Sequence, residues 1–161
     1  MSITKLNNLS ISAVTALPSG VGGKVLQVIT ATDSTVRNTS STSFVTASNT
    51  LSVSITPSSA SNKIYISISG NIYNSAGNEY SVLTIFRGAT DLGAASNKGL
   101  ANLYTGSEDQ GTPFCITILD SPSTTSAITY QLYFRKSAGI GNAYLNEDSC
   151  KGSITAFEIA G

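Results

Sequence analysis

Carboxylates, thiols and tyrosines are the only groups in this sequence whose types and spacing invite a chemical reading. Acidic doublets stand at Glu108-Asp109 and Glu147-Asp148, with Asp120 between them. Paired carboxylates are what acid–base hydrolysis of a glycoside needs. Both doublets fall in turn-like stretches, however, where charged side chains are ordinarily solvated. No catalytic residue is therefore assigned. Oxygen-rich loops can also hold calcium, but the spacing matches no EF-hand loop, so metal binding by Glu108, Asp109, Glu147 and Asp148 stays open and no metal ligand is assigned. The absence of histidine removes Ser-His-Asp and Cys-His nucleophile systems and imidazole zinc sites. Cys115 lies in an apolar run and Cys150 in a polar one; two cysteines make neither a Cys₄ site nor a disulfide framework, and both read as free thiols. Gly139-Ile140-Gly141-Asn142 lacks the third glycine and following helix of a phosphate loop and reads as a hairpin turn. The expectation is a protein that is not an enzyme and carries no cofactor.

Binding residues are easier to nominate. Most of the seven tyrosines fall on strand patterns, where a ring packs and its hydroxyl finds a partner. Tyr104 and Tyr144 lie near loops instead, placed to stack on a sugar or touch a partner protein. Residues 1–23 carry Ile3, Leu6, Leu9, Ile11, Val14 and Leu17, spread too evenly for a two-sided strand and followed by Pro18, Gly20, Gly22 and Gly23. A lone tail would leave these six side chains in water, so they form a candidate segment for attachment to another protein or for packing along a symmetry axis.

The elements that position these residues follow from composition and periodicity. With 161 residues the chain fits one domain. Nine Lys and Arg balance nine Asp and Glu, which leaves no electrostatic footprint for nucleic acid or an anionic membrane. No run approaches the ~20 apolar residues of a membrane helix, and no secretory signal is visible, so synthesis in a cytoplasm is expected. Polarity comes from 26 serines and 19 threonines. They alternate with Ile, Val, Leu, Tyr and Phe, which lets the chain bury enough apolar surface to fold. The clearest alternation runs from Leu51 to Ser69, where Leu51, Val53 and Ile55, then Ile64, Ile66 and Ile68, are separated by a break beginning at Pro57. Period two on both sides predicts two half-buried strands and an amphipathic hairpin. Similar patterns predict strands near Val25–Thr30, Ser43–Ala47, Lys63–Tyr73 with a bulge or close approach at Gly70, Tyr80–Arg87, Phe114–Leu119, Ile128–Arg135, Ala143–Asn146 and Ser153–Ile159. Ala89–Gly111 reads as a functional loop or a segment hiding a short strand. The predicted fold is all-β: an extended segment over 1–23, then a jelly-roll-like two-sheet β-sandwich of eight to nine strands over 24–161, with a closed barrel as second choice. Strands apolar on both faces, Val25–Ile29, Val82–Phe86 and Ser153–Ile159, predict a cover for the outer face, which a threefold neighbour would supply.

Three stretches carry a resemblance: Gly23-Lys-Val-Leu-Gln-Val; Leu51 to Ile68, with its Ile-Thr-Pro-Ser-Ser-Ala-Ser-Asn-Lys-Ile centre; and Leu119-Asp-Ser-Pro-Ser-Thr-Thr-Ser-Ala-Ile-Thr-Tyr together with Ser153-Ile-Thr-Ala-Phe-Glu-Ile-Ala. In order and spacing they resemble β-modules of tailed-bacteriophage virion proteins, often found at the carboxyl ends of tail fibres. The similarity spans residues 23–160. It implies a structural, non-catalytic virion protein, usually a homotrimer, with a knob similar to tumour-necrosis-factor-like domains. Residues 1–23 would then join other virion proteins, and loops would contact a host surface glycan or protein. The family's long shaft is missing, so the expectation is a tail appendage or fibre tip, with a capsid decoration protein that cements the head as the alternative.

Overall fold

Ile64, Ile66, Ile68 and Ile72 are all buried, and Tyr65 and Ser67 point the other way, so the second period-two run of the Leu51–Ser69 stretch does become the central strand of the protein. A computed structural model describes residues 24–93, 98–138 and 140–161. The attachment residues Ile3, Leu6, Leu9, Ile11, Val14 and Leu17 lie outside the described residues. Eleven strands occur among the described ones: β1 (Val25–Asp33), β2 (Arg37–Thr39), β3 (Ser52–Ile55), β4 (Lys63–Asn74), β5 (Glu79–Arg87), β6 (Thr90–Asp91), β7 (Ala101–Thr105), β8 (Gln110–Asp120), β9 (Ile128–Lys136), β10 (Ala143–Leu145) and β11 (Gly152–Ile159).

All pairings are antiparallel and form two sheets that pack face to face. In the first, the long strand β4 pairs along one side with β8 and on the other with β11 and then β10; β1 extends β11 and β2 extends β10. In the second the order is β3-β9-β5, with β7 and β6 sharing the far side of β5. Setting aside the short strands β2, β6 and β10, the remaining eight pair first with last, second with seventh, third with sixth and fourth with fifth. That nested pairing is jelly-roll wiring. The fold is a β-sandwich of that kind.

Several local expectations change. The two strands of the Leu51–Ser69 stretch do not form a hairpin: β3 belongs to one sheet and β4 to the other, and the Pro57–Asn62 turn crosses between them. Alternation specifies an inner and an outer face but not whether the next strand pairs or faces its predecessor. At Gly70 the register with β8 and the course of β4 run without a bulge; the glycine is a close approach, since a Cβ there would stand 3.1 Å from the Phe114 ring. The register shift falls instead between Val25 and Gln27. Ser43–Ala47 yields only an isolated bridge, Val45 to Phe134, and Ala89–Gly111 holds β6 and β7.

The core lies between the sheets, with β4 and β11 giving Ile64, Ile66, Ile68, Ile154 and Ala156, and β5 and β9 giving Leu83, Ile85, Tyr130, Leu132 and Phe134. Polar clusters close it at both ends. At one end, Arg87 Nη1 donates to both oxygens of Asp120 at 2.9 Å, and Tyr130 Oη donates to Asp120 Oδ2 at 2.6 Å. Burial and the Asp120 hydrogen bond push the Tyr130 hydroxyl pKa far up. Beside this cluster Glu158, 1% exposed, accepts from Ser58 N, Ser58 Oγ, Asn62 Nδ2 and Gln27 Nε2. These bonds fix the Pro57–Asn62 crossover. The other end carries Asn74, Glu79, Thr105 and Lys136.

Candidate functional site

Both ends of the described chain meet at the end of the sandwich where β4 begins: Ala160 N donates to Lys24 O, and Gly161 N to Asn62 Oδ1. We call this end the base. The opposite, distal end lies roughly 35 Å away, at about 3.3 Å for each residue of the 12-residue strand β4. Surfaces that differ in chemistry are distributed along this axis.

Near the base, the outer face of the first sheet is apolar. Val28 of β1, Phe157 of β11, Tyr65 of β4 and Leu119 of β8 are successive cross-strand neighbours and form one row across four strands. Val28 is 55%, Tyr65 37% and Leu119 54% exposed, and the Tyr65 and Phe157 rings stand 5.9 Å apart. Val25 and Leu26 are also exposed at the start of β1. The next rows toward the distal end are hydroxyls, Thr30, Thr155, Ser67 and Thr117, then Thr32, Ser153 and Ser69, the second row ending on the Cys115 thiol. Cys115 and Cys150 are exposed free thiols.

The second sheet is covered differently. Its outer face over β5 was expected to need a neighbour, but the chain covers it itself. The Phe44 ring lies 6.1 Å from Phe86, which stacks on Tyr133 at 4.2 Å, and the Arg135 guanidinium sits 4.9 Å above Phe44. Val82 is fully buried beneath Gly99, whose left-handed backbone lies against Val82 and the Leu83 carbonyl. Lys98 Nζ stands 2.8 Å above the Tyr80 ring.

The distal end has a cleft of about 390 Å³ lined by Asn71, Tyr73, Gly111, Glu147, Asp148 and Cys150. Strand β4 supplies Asn71 and Tyr73 on its outer face, and the short 3₁₀ turn Glu147–Ser149 after β10 supplies the acids. One acid of the first doublet and both of the second meet Tyr73's neighbourhood: Tyr73 Oη donates to Asp109 Oδ2, while Glu147 and Asp148 line the cleft. The hydrogen bond to Asp109, with burial and the charge of Glu147, pushes the Tyr73 hydroxyl up to about 12. Glu147 Oε2 is buried without a hydrogen-bond partner among the described residues. Among the described residues no three of His, Cys, Asp and Glu group closely enough to hold a metal ion. Asp120, the other carboxylate considered for catalysis, is held in the base cluster by Arg87 and Tyr130.

Of the two nominated tyrosines, Tyr144 belongs to this region: its ring meets Tyr73 edge-on at 5.6 Å, and Asn142 Nδ2 donates to its hydroxyl at 3.4 Å. Tyr104 lies on the outer face of the other sheet, stacked on Tyr80 at 4.7 Å. The two are not brought together. Sequence reasoning missed Asn71 and Tyr73, and the signal was available: both sit in the outward register of β4 as it approaches a turn rich in Asn and Gly. Against protein-family models and curated proteins, the chain matches none.

Proposed function

We propose that this chain is a non-enzymatic structural module of a tailed-bacteriophage virion, a trimeric tail-appendage or fibre-tip knob that mediates attachment. The observation that carries this reading is the apolar row Val28-Phe157-Tyr65-Leu119, laid across four strands of one sheet of a jelly roll whose other sheet is covered over β5 by the chain itself. Exposed apolar surface of that continuity suits burial against another copy of the chain. The exact balance of nine positive and nine negative residues leaves little repulsion between copies. The polarity of the knob agrees with its use. Lys24 lies at the base, and with residues 1–23 joining other virion proteins on that side the distal cleft faces outward, where its tyrosine ring and carboxylates suit the face and hydroxyls of a host surface glycan.

Sedimentation of the purified protein tests the assembly. A trimer that falls to monomers on Val28→Glu or Leu119→Lys is expected; a wild-type monomer at every concentration defeats the reading. Imaging labelled virions tests the location. Label on the tail is expected, whereas label on the head assigns the chain to capsid decoration.

A further inference from the structure

At the distal end of the core, three inward-facing strand patterns end on polar residues. Tyr130, Leu132 and Phe134 on β9 continue to Lys136; Ile68 and Ile72 on β4 lead to Asn74; Ile85, Leu83 and Ser81 on β5 lead back to Glu79. Lys136 and Asn74 are 0% exposed and Glu79 is 4% exposed. Lys136 Nζ donates to Asn74 Oδ1 across the gap between the sheets. The Asn74 amide is fixed from its other side, where Nδ2 donates to Glu79 O at 3.0 Å and Thr105 Oγ1 at 2.9 Å. Lys136 forms no ion pair with a carboxylate among the described residues; the Glu79 carboxylate acts on it through its charge and itself accepts from Ser137 Oγ at 2.7 Å and Ala138 N at 3.1 Å, on the two residues that follow Lys136. A buried ammonium without such a partner is costly. Burial therefore holds the amine's pKa below the ordinary lysine value, against a weaker upward pull from the charge of Glu79. Burial thus makes the neutral, nucleophilic form of the amine easier to reach than in a solvated lysine, and the amine is held against a carboxamide in a site closed to water.

We propose that Lys136 and Asn74 join through an intramolecular isopeptide bond, with Glu79 as the proton carrier. The Lys136 Nζ lone pair attacks Asn74 Cγ; the Cγ–Nδ2 bond then breaks, and Nδ2 departs as ammonia. One proton must pass from Nζ to Nδ2. The Glu79 carboxyl group takes a proton from Nζ and hands one to the leaving nitrogen, so it ends as it began. An amine and a primary amide become a secondary amide and ammonia, with no oxidant, reductant or water consumed. Amide exchange of this kind is slow between free molecules; fixed geometry of the sort seen here is worth effective concentrations of about 10⁵ M or more. The bond ties the central strand of one sheet, β4, to β9 of the other, across 62 residues of chain. Hydrogen bonds and packing otherwise hold the two layers together.

The intact mass of the denatured full-length protein tests this directly. Wild type is expected to be lighter than its sequence by one ammonia, and trypsin is expected to leave Lys136 uncut and release one branched peptide containing both Asn74 and Lys136. Lys136→Arg and Asn74→Ala should run at the full sequence mass. Glu79→Gln should also remain mostly unlinked while its circular dichroism stays that of the folded wild type, which separates proton handling from a packing role. A wild type at full mass, with the two residues in separate peptides, overturns the proposal. So does a lighter wild type without the branched peptide, since cyclisation of another asparagine loses ammonia too. Complete linkage in Glu79→Gln overturns the role given to Glu79.

Discussion

Glu158 shows how a single residue can stand on the apolar side of a strand and still stabilise the fold. It follows Ile154 and Ala156 in the inward register of β11. Burial pushes its carboxyl up, but hydrogen bonds from Gln27, Asn62 and Ser58 outweigh that and hold it at about 2. A depressed carboxyl contributes stability that is fully present above the ordinary value of 4.5 and lost as pH falls toward 2. Glu158→Gln should therefore lower stability at neutral pH by about 1 to 3 kcal/mol, the usual worth of hydrogen bonds to a charged acceptor, and the difference from wild type should fade near pH 2. Urea midpoints across that range measure it. Asp33 is also held below its usual value, burial being outweighed by the Thr50 and Thr35 amides and Arg37, so some acid sensitivity should survive in the variant. Tyr73 titrates in the opposite sense. Asp109→Asn removes the hydrogen bond that raises it to about 12 and should return its ionisation toward 10, read as the ultraviolet absorbance difference from Tyr73→Phe.

Among the elements, the segment over β5 depends on one backbone position. Gly99 has φ +62°, and a Cβ there would lie 2.3 Å from the Leu83 carbonyl oxygen. Gly99→Ala meets both the left-handed penalty and a backbone clash, so a loss of about 2 kcal/mol or more in denaturant unfolding is expected, with Val82 opened to solvent. Nothing around Gly99 in the sequence announces this, because the carbonyl it presses on lies sixteen positions earlier in the chain. The same divide runs through the fold. Period-two runs such as Ile128 to Phe134 made the strands and their inner faces legible, since side-chain direction is a local property. The partner of each strand was not legible: β3 and β4 look like a hairpin yet lie in different sheets, because sheet membership depends on contacts between distant segments. The cleft was half visible. Its acidic doublets were noted, but the bond from Tyr73 to Asp109 needed the pairing of β4 with β8. Lys136, Asn74 and Glu79 could have been found by carrying each alternation one step further, into positions where a polar residue breaks the pattern.

For the whole molecule, the axis from base to distal end separates holding the fold together from using it. Core packing, both polar end clusters and all sheet pairings described here lie within residues 24–161. Removing residues 1–22 should therefore leave the thermal midpoint of the knob nearly unchanged. Under the proposed role it should also abolish incorporation into particles, because that role assigns attachment to residues 1–23. The apolar row gives that experiment a second dimension. If copies associate through Val28, Tyr65 and Leu119, the truncated knob keeps its oligomeric mass in sedimentation, since those residues belong to the sandwich. If truncation yields monomers, residues 1–22 hold the assembly and the row serves them instead of a neighbouring knob. Sedimentation and calorimetry on the same sample thus separate folding from assembly. A truncated chain that fails to fold would place the first 22 residues inside the core.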